Sequence, residues 1–536
     1  MAAVANPHAA KAAVDIMRRG GSAVDAAVAV QLVLTLVEPQ SSGIGGGAFL
    51  LHHDGRITEA YDGRETAPSA VDEQLFLDHQ GKPLSLQEAV GSGRSVGTPG
   101  VLRLLELAHR QHGQLPWSRL FEPAITLAEQ GFAVSPRLHA LLSDAPELQR
   151  DPVAAAHYYD AQGRPWPVGH VLRNPELAAV LRRIAAEGSD AFYRGEVAEA
   201  IVRKVRAHPR HPGELSTDDL AEYEVQVRPP LCFVYSASPV TGKARRAHDV
   251  RICGMPPPSS GTLAVGQILG LLAHTPAAKL RPQRSPQGLR PGPDWLHLYA
   301  EAARLAFADR ALYVADPDYV PPPGPTWMSL LDDDYLARRA QLIATGPRAK
   351  RMPEAPAGVP AGVQQSRAPM PEQPEHGTSH ISIVDGQGRA LAMTSSIEAA
   401  WGARLMVNRG LGLSGGFLLN NQLTDFSFVP RSESGAPIAN RVEPRKRPRS
   451  SMTPLLVFER PRGEFLLSGG SPGGAYIIHY TGKLLYGTLH WGLDVQQAIN
   501  LPNVASFGGP VLLEEGGFPA ATVRALRQRG HVVREQ

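Results

Sequence analysis

Cysteine is nearly missing from this sequence. There are two, Cys232 and Cys253, too few for the disulfide framework that holds small secreted domains together. They flank a turn-rich segment and could meet across a hairpin or stay free. No CxxC or HExxH spacing occurs, which removes the common zinc and metalloprotease motifs. His208-Pro209-Arg210-His211 is a weak substitute, because its proline suits a loop better than a helical ligand pair. No metal and no cofactor is expected. An excess of one charge is lacking too: formal net charge is +3. The dense basic runs, "KARR" (243–246) and "RVEPRKRPR" (441–449), read as solvated surface, and no basic-aromatic array offers a track for nucleic acid. Long hydrophobic runs are absent as well. The longest, "AAVAVQLVLTLV" (26–37), is too short to span a bilayer and carries Gln31. Basic residues precede it, but Asp25 interrupts the apolar core and the run stands far from Met1, so it is not read as a signal peptide. As given, the chain carries no export signal, and a cytoplasmic location is the default.

What is present is enough chain, 536 residues, for a large core and two to four domains. The first third reads as helical. "PHAAKAAVDIMRRGG" has apolar residues at helical spacing and stops at Gly20-Gly21, and a buried helix follows with Ser22 as its N-cap. Two apolar runs near 48–52 and 57–61 flank Asp54-Gly55, a hairpin signal. Further helices are expected to residue 205, then a turn feeding a helix within 255–274, and a helix over 295–314, the last one amphipathic. From Gly346 to Gly377 the character changes. Seven prolines fall between 347 and 374 with few large apolar residues, the composition of a mobile or extended connector. After Thr378 the alternation returns. "TSHISIVD", a "GQG" turn and "RALAMTSSI" make a hairpin, and strand-like runs recur at 416–421, 452–459 and 464–470. Helices are expected at 474–487 and 494–499. The tail is therefore α+β, a mostly antiparallel sheet that helices must cover.

Three glycine-rich stretches invite chemistry. "GSGRSVGTPG" (91–100) follows no clear strand and sits in no βαβ unit, so it is not a dinucleotide loop. "GIGGG" (43–47) lacks the phosphate-loop lysine and reads as close backbone approach in a core. "GGSPG" (469–473) matches G-x-S-x-G, but the residue after Ser471 is Pro472, which has no N–H for an oxyanion hole. That weighs against Ser471 as a nucleophile. Gly473 and Gly474 do carry N–H groups and suit an oxyanion hole whose nucleophile arrives from elsewhere.

The Pro-rich connector ends on Gly377-Thr378, with a hairpin directly behind. A threonine hydroxyl needs a base within reach, and its own α-amino group can serve, with a reference pKa of about 7.7–8.0. An internal threonine has an amide there instead, so the chain must first be cut before Thr378. Gly377 tolerates the backbone geometry that hydroxyl attack on its carbonyl requires. The plainer alternative is an interdomain linker entering an ordinary strand.

A set of further segments decides between them. "NPHAAKAAVDIMRRGGSAVDAAVAVQLVLTLVEPQSSGIGGGAF", "YDGRETAP", "SVGTPGV", "YRGEVAEAI", "MPPPSSG", "LAFADR", "HGTSHISIVD", "LLNNQLTDF", "KRPRSSMTP" and "GSPGG" run in order from about residue 3 to the end. In them the sequence resembles the gamma-glutamyltranspeptidase (glutathione hydrolase) family of N-terminal nucleophile hydrolases. The resemblance implies a four-layer αββα sandwich, two mostly antiparallel sheets covered by helices. It implies a precursor that cuts itself at Gly377–Thr378 into a large subunit, 1–377, and a small subunit, 378–536, with Thr378 as nucleophile. It implies Gly473 and Gly474 as oxyanion donors and Ser396, where many members carry a second threonine, as the group that orients the nucleophile. Arg64 would pair the α-carboxylate of a γ-glutamyl group, Ser450 and Ser451 would add hydroxyls, and Asp425, with Gln422 and Glu398, would meet the α-ammonium. Glu398 replaces an asparagine of several members, and the 426–447 loop has no tyrosine for an aromatic lid. The implied partners are a glutathione-like donor and water or an amino-acid or peptide acceptor, with no nucleic acid and no membrane span. Members are commonly periplasmic or secreted, and against them both ends of this chain look short. Alternatives are a cephalosporin-acylase-like amidase of the same family and an unprocessed relative that only binds γ-glutamyl compounds.

Overall fold

The structure, a computed structural model, describes residues 1–237, 248–285, 288–363, 367–375 and 377–536. The basic run at 243–246 lies outside the described residues. Two antiparallel sheets form the centre. The larger runs Ala2–Ala3, Ser379–Val384, Ala390–Ser396, Gly47–His53, Thr58–Gly63 and Gln226–Arg228 in spatial order. The smaller runs Phe465–Gly469, Leu455–Glu459, His248–Gly254 and Leu231–Ala237.

Alternation along these strands sorts the side chains into layers, because successive residues of a strand point to opposite faces. Ala48, Leu50, Leu391 and Met393 join a core with the N-terminal helices, while Phe49, Leu51, Ala390 and Ala392 face Cys253, Leu456 and Phe458 of the other sheet. On that second sheet Leu231, Phe233, Ile252, Leu455 and Val457 turn outward to another helical layer. The result is helix, sheet, sheet, helix, the αββα sandwich.

The helix Ala23–Val37 is buried along its whole length and starts on a capping box between Ser22 and Asp25. A helix without a polar face needs cover on all sides. It packs on Pro7–Arg18 and on both strands of the 379–396 hairpin. Helix Pro293–Tyr313 departs from expectation in the same way. It is not amphipathic but buried nearly all round, and the charges on it that pattern reading would turn to solvent are paired inside, Glu301 with Arg304 at 2.9 Å and Asp309 with Arg339 at 3.0 Å.

Cys232 and Cys253 stand directly opposite on neighbouring strands and form a disulfide. The connector carries no helix or strand between Ala340 and Ser379 among the described residues, and it is tied to the body. Gly358 N donates to Asp309 at 2.7 Å, Met370 N to Ala311 O at 2.9 Å, and the Gln373 amide to the carbonyls of Thr424 and Phe426.

Candidate active site

The 379–396 hairpin pairs Ser379 with Ser395, and its second strand pairs Ser396 with Gly47. This register brings the start of one strand, the end of the next and the Gly43–Gly47 loop to one end of the sheet. A Cβ on Gly46 would sit 2.2 Å from the Ser396 carbonyl oxygen. The glycine run is thus a place where backbones meet, as its composition suggests.

Thr378 is almost buried, and its hydroxyl lies 3.3 Å from Ser396 Oγ. Ser396 Oγ is held in turn by the amide N–H of Glu398 at 2.8 Å. Thr378 has φ +110° and Gly377 φ +73°. A β-branched residue at positive φ is a true outlier, and such strain costs on the order of 1–3 kcal/mol. At Gly377 nothing but glycine fits: a Cβ would lie 1.7 Å from the carbonyl oxygen of Glu398. The Gly377–Thr378 peptide is therefore clamped between two unusual backbone conformations.

Its carbonyl has a donor. The N–H of Gly473 points at Gly377 O at 3.2 Å, and Gly473 and Gly474 both have positive φ. They form the turn before helix Tyr476–Leu489. Ser471, two residues earlier, donates its hydroxyl to the Pro472 carbonyl at 2.9 Å.

Arg64 is fully buried. Its Nε donates to Pro448 O at 3.1 Å, and its Nη2 donates to Arg449 O at 2.9 Å and to the Asp425 carboxylate. Nη1 has no hydrogen-bond acceptor and stands 3.9 Å from Glu65 Oε2. Gln422 donates to the same Asp425 oxygen at 3.0 Å. So the two residues expected to take opposite ends of a zwitterion hold each other. Burial raises the Asp425 pKa, Arg64 opposes that, and Glu375 adds to it. Glu398 turns its carboxylate to the Asn421 amide. Ser450 Oγ accepts the N–H of Met452 at 3.1 Å.

Ser451 leads to residues that pattern reading passed over. Its Oγ accepts from Arg310 Nη2 at 2.6 Å, and the same guanidinium nitrogen binds the Glu375 carboxylate at 2.6 Å. Glu375 is two residues before Gly377, in the connector. Burial would raise its pKa, but Arg310, Arg449 and the Ser451 hydroxyl hold it below the usual range. Arg449 is buried, with Nη1 donating to Arg310 O at 3.2 Å and Nε without a partner. Burial and the neighbouring Arg310 push its pKa down to about 9.

Arg449 also corrects the reading of 441–449 as solvated surface. Lys446, Arg447 and Arg449 are all buried. Lys446 Nζ binds Ala439 O at 2.8 Å and Glu443 at 2.7 Å, and Arg447 lies 3.6 Å from Asp62. Charge density alone does not separate a solvated run from one whose partners come from distant segments. Connector and body together line a cleft of about 540 Å³ that includes Phe307, Arg310, Met370, Glu375, Arg449 and Tyr476.

The family model described as Gamma-glutamyltranspeptidase matches residues 9–536. The chain is 34% identical over 540 aligned residues to the glutathione hydrolase proenzyme of Bacillus subtilis (strain 168), covering 99% of this chain and 84% of that protein. The crystal structure of cephalosporin acylase from Bacillus halodurans superposes with a TM-score of 0.78 at 26% identity, over 100% of this chain and 88% of that one. The gamma-glutamyltranspeptidase structure from Helicobacter pylori aligns with a TM-score of 0.53 at 30% identity, over 62% of this chain and 88% of that one.

Proposed function

The chain belongs to the gamma-glutamyltranspeptidase family, and from that premise we propose that it is a self-processing γ-glutamyl hydrolase/transferase acting on glutathione-like amides. The observation that carries the reading is the Gly473 N–H aimed at the Gly377 carbonyl oxygen at 3.2 Å, next to a Thr378 hydroxyl 3.3 Å from Ser396 Oγ, which supports the roles of oxyanion donor, acyl carbon and nucleophile.

Maturation would begin when the Thr378 hydroxyl attacks the Gly377 carbonyl carbon. Negative charge develops on Gly377 O, where the Gly473 N–H already points, and a donor preset for that charge costs no reorganisation. The C–N bond breaks, the Thr378 nitrogen takes a proton, and Gly377 is left esterified to Thr378. Water releases it as a carboxylate, with a free α-amine at Thr378. Residues 1–377 and 378–536 then act as large and small subunits.

In turnover the new amine accepts the hydroxyl proton as Thr378 attacks the γ-amide carbonyl. The leaving amine departs protonated, and a γ-glutamyl ester remains. Water or an amino-acid or peptide amine takes up the acyl group. Departure of the connector end frees Ser451, Arg310 and Arg449 from Glu375, so a substrate carboxylate can replace it. Gln422 and Asp425 supply the acceptors for an ammonium, and the unpaired Arg64 Nη1 offers a further donor to the carboxylate.

A second reading, hydrolysis of an acyl side chain without an α-ammonium, draws on the cephalosporin acylase likeness and on the Arg64–Asp425 pair, which already satisfies Asp425. The test is intact mass plus turnover of paired substrates, a γ-glutamyl anilide and the glutaryl anilide that lacks the amine. The leading reading expects two chains split after Gly377 and faster turnover of the γ-glutamyl compound. A faster glutaryl reaction selects the second reading. An uncut, inactive chain leaves the binding-only alternative.

A further inference from the structure

A cluster of metal-binding side chains lies at the far end of the sheet from Thr378. His52 and Glu59 are direct cross-strand partners in the hairpin Gly47–His53/Thr58–Gly63. Antiparallel partners share a face, and Tyr61, two residues past Glu59, shares it as well. Helix Val101–His112 packs on strand Thr58–Gly63, and its last residue, His112, comes down over the pair. His112 Nε2 lies 2.8 Å from Glu59 Oε2, and the His52 and His112 rings are 4.1 Å apart.

His52 is the odd member. It is 1% exposed, and neither ring nitrogen has a hydrogen-bond partner. A buried polar group without a partner is destabilising, because its lost hydration is not replaced. A neutral imidazole keeps a lone pair on one nitrogen, and that is the state in which it binds a metal ion.

We propose that His52, Glu59 and His112 bind one divalent late transition ion, of the zinc class, which ties the hairpin to the end of helix Val101–His112. One ligand atom from each residue lies within 4.8 Å of the others. Tetrahedral ligands at about 2.0–2.1 Å from zinc stand roughly 3.3 Å apart, so side-chain rotation alone must close the set by about 1.5 Å. Two imidazoles and a carboxylate suit zinc and leave its fourth position to water. Tyr61 OH lies 3.3 Å from Glu59 Oε2 and 2.8 Å from His112 Nε2 and also donates to Gln111 Oε1, so it borders the set as an outer hydrogen-bonding group. Glu59 and His112 are partly exposed, which gives the ion a path in. Along the strand, His52 is five residues from Gly47, the partner of Ser396, about 17 Å at strand rise. The ion would therefore act on the fold and not on the acyl chemistry.

The test uses full-length protein stripped with chelator, then dialysed against Zn²⁺ alone, with metal content and melting temperature measured for wild type, Glu59→Gln and His112→Gln. Both positions are partly exposed, and equal melting of the stripped proteins shows that the variants fold. The expected result is one more zinc per chain in wild type than in either variant, at least tenfold weaker binding in the variants, and a zinc-dependent rise in melting temperature only in wild type. Equal zinc content in all three, as from surface histidines such as His208 and His211, overturns the proposal. So does a wild-type Co²⁺ spectrum that stays that of the hydrated ion.

Discussion

The amide N–H of Gly473 donates to the carbonyl oxygen of Gly377 at 3.2 Å, across almost a hundred residues of sequence. That bond aims a backbone donor at the carbonyl directly preceding Thr378. On the proposed mechanism, an acyl group that replaces Gly377 would meet the same donor.

Thr378→Ala removes the attacking hydroxyl and should leave one chain of full-length mass. Thr378→Ser keeps a hydroxyl and should still cut, more slowly, since serine lacks the methyl that restricts χ1. Mass spectrometry after timed incubation reads both, and a fully cut alanine variant would remove Thr378 from the mechanism.

Gly377→Ala keeps every reacting group but places a Cβ 1.7 Å from the Glu398 carbonyl, at a φ of +73°. The scissile peptide must shift, so self-cleavage should slow by at least 10²-fold, as expected for a displacement of about 1 Å. A time course on denaturing gels checks this. Unchanged cleavage would show that the clamp is not needed.

In the uncut Thr378→Ala protein, Glu375→Gln leaves Arg310 and Arg449 buried without their carboxylate. Breaking a buried pair from one side costs about 3–5 kcal/mol, read as a lower urea midpoint at pH 7. Because the Glu375 pKa is depressed in the fold, its stabilisation is present above the ordinary glutamate value of 4.5 and is lost as pH falls through the folded value. The two proteins should therefore converge in acid.

Glu65 behaves with the opposite sign. Burial, opposed by Arg64, pushes its pKa from 4.5 up to about 8. The folded state then holds a proton that the unfolded state has released, so wild-type stability falls between pH 4.5 and 8. Glu65→Gln should gain on wild type across that window by roughly 1.4 kcal/mol per pH unit, and no further above it. Denaturation at four pH values measures the slope, and a flat difference would contradict it.

On the proposed mechanism the base of the cut enzyme is an α-amine, with an ordinary pKa of about 7.7–8.0. Values of kcat/KM should rise tenfold per pH unit on the acid side and level off above that pKa. A pH-independent rate between 6 and 8 would exclude the amine.

The sequence by itself determined many of the elements and pointed to Gly377–Thr378 as the place where a cut would fall. The apolar run in "GAFLLHH", ended by Asp54-Gly55, and the hairpin pattern around "GQG" mark strands before any partner is known, while which face of each meets the helices is left to packing. Ser22 capped its helix for a local reason, and Gly377-Thr378 stood out because a connector ended where a strand began. These are signals carried within a few bonds of chain. Tertiary structure alone decided which charges meet. Arg449 reads as one more basic residue in an exposed run until Arg310 and Glu375 arrive from two other segments to bury it. Arg64 and Asp425 are 361 residues apart, and their mutual bond is set by how the segments that carry them pack. His52, Glu59 and His112 have no motif spacing, because strand register brings the first two together and a helix end brings the third. Local patterns mark the elements. Only packing fixes what a side chain faces, because a charge or a lone pair acts across space and takes no account of sequence separation.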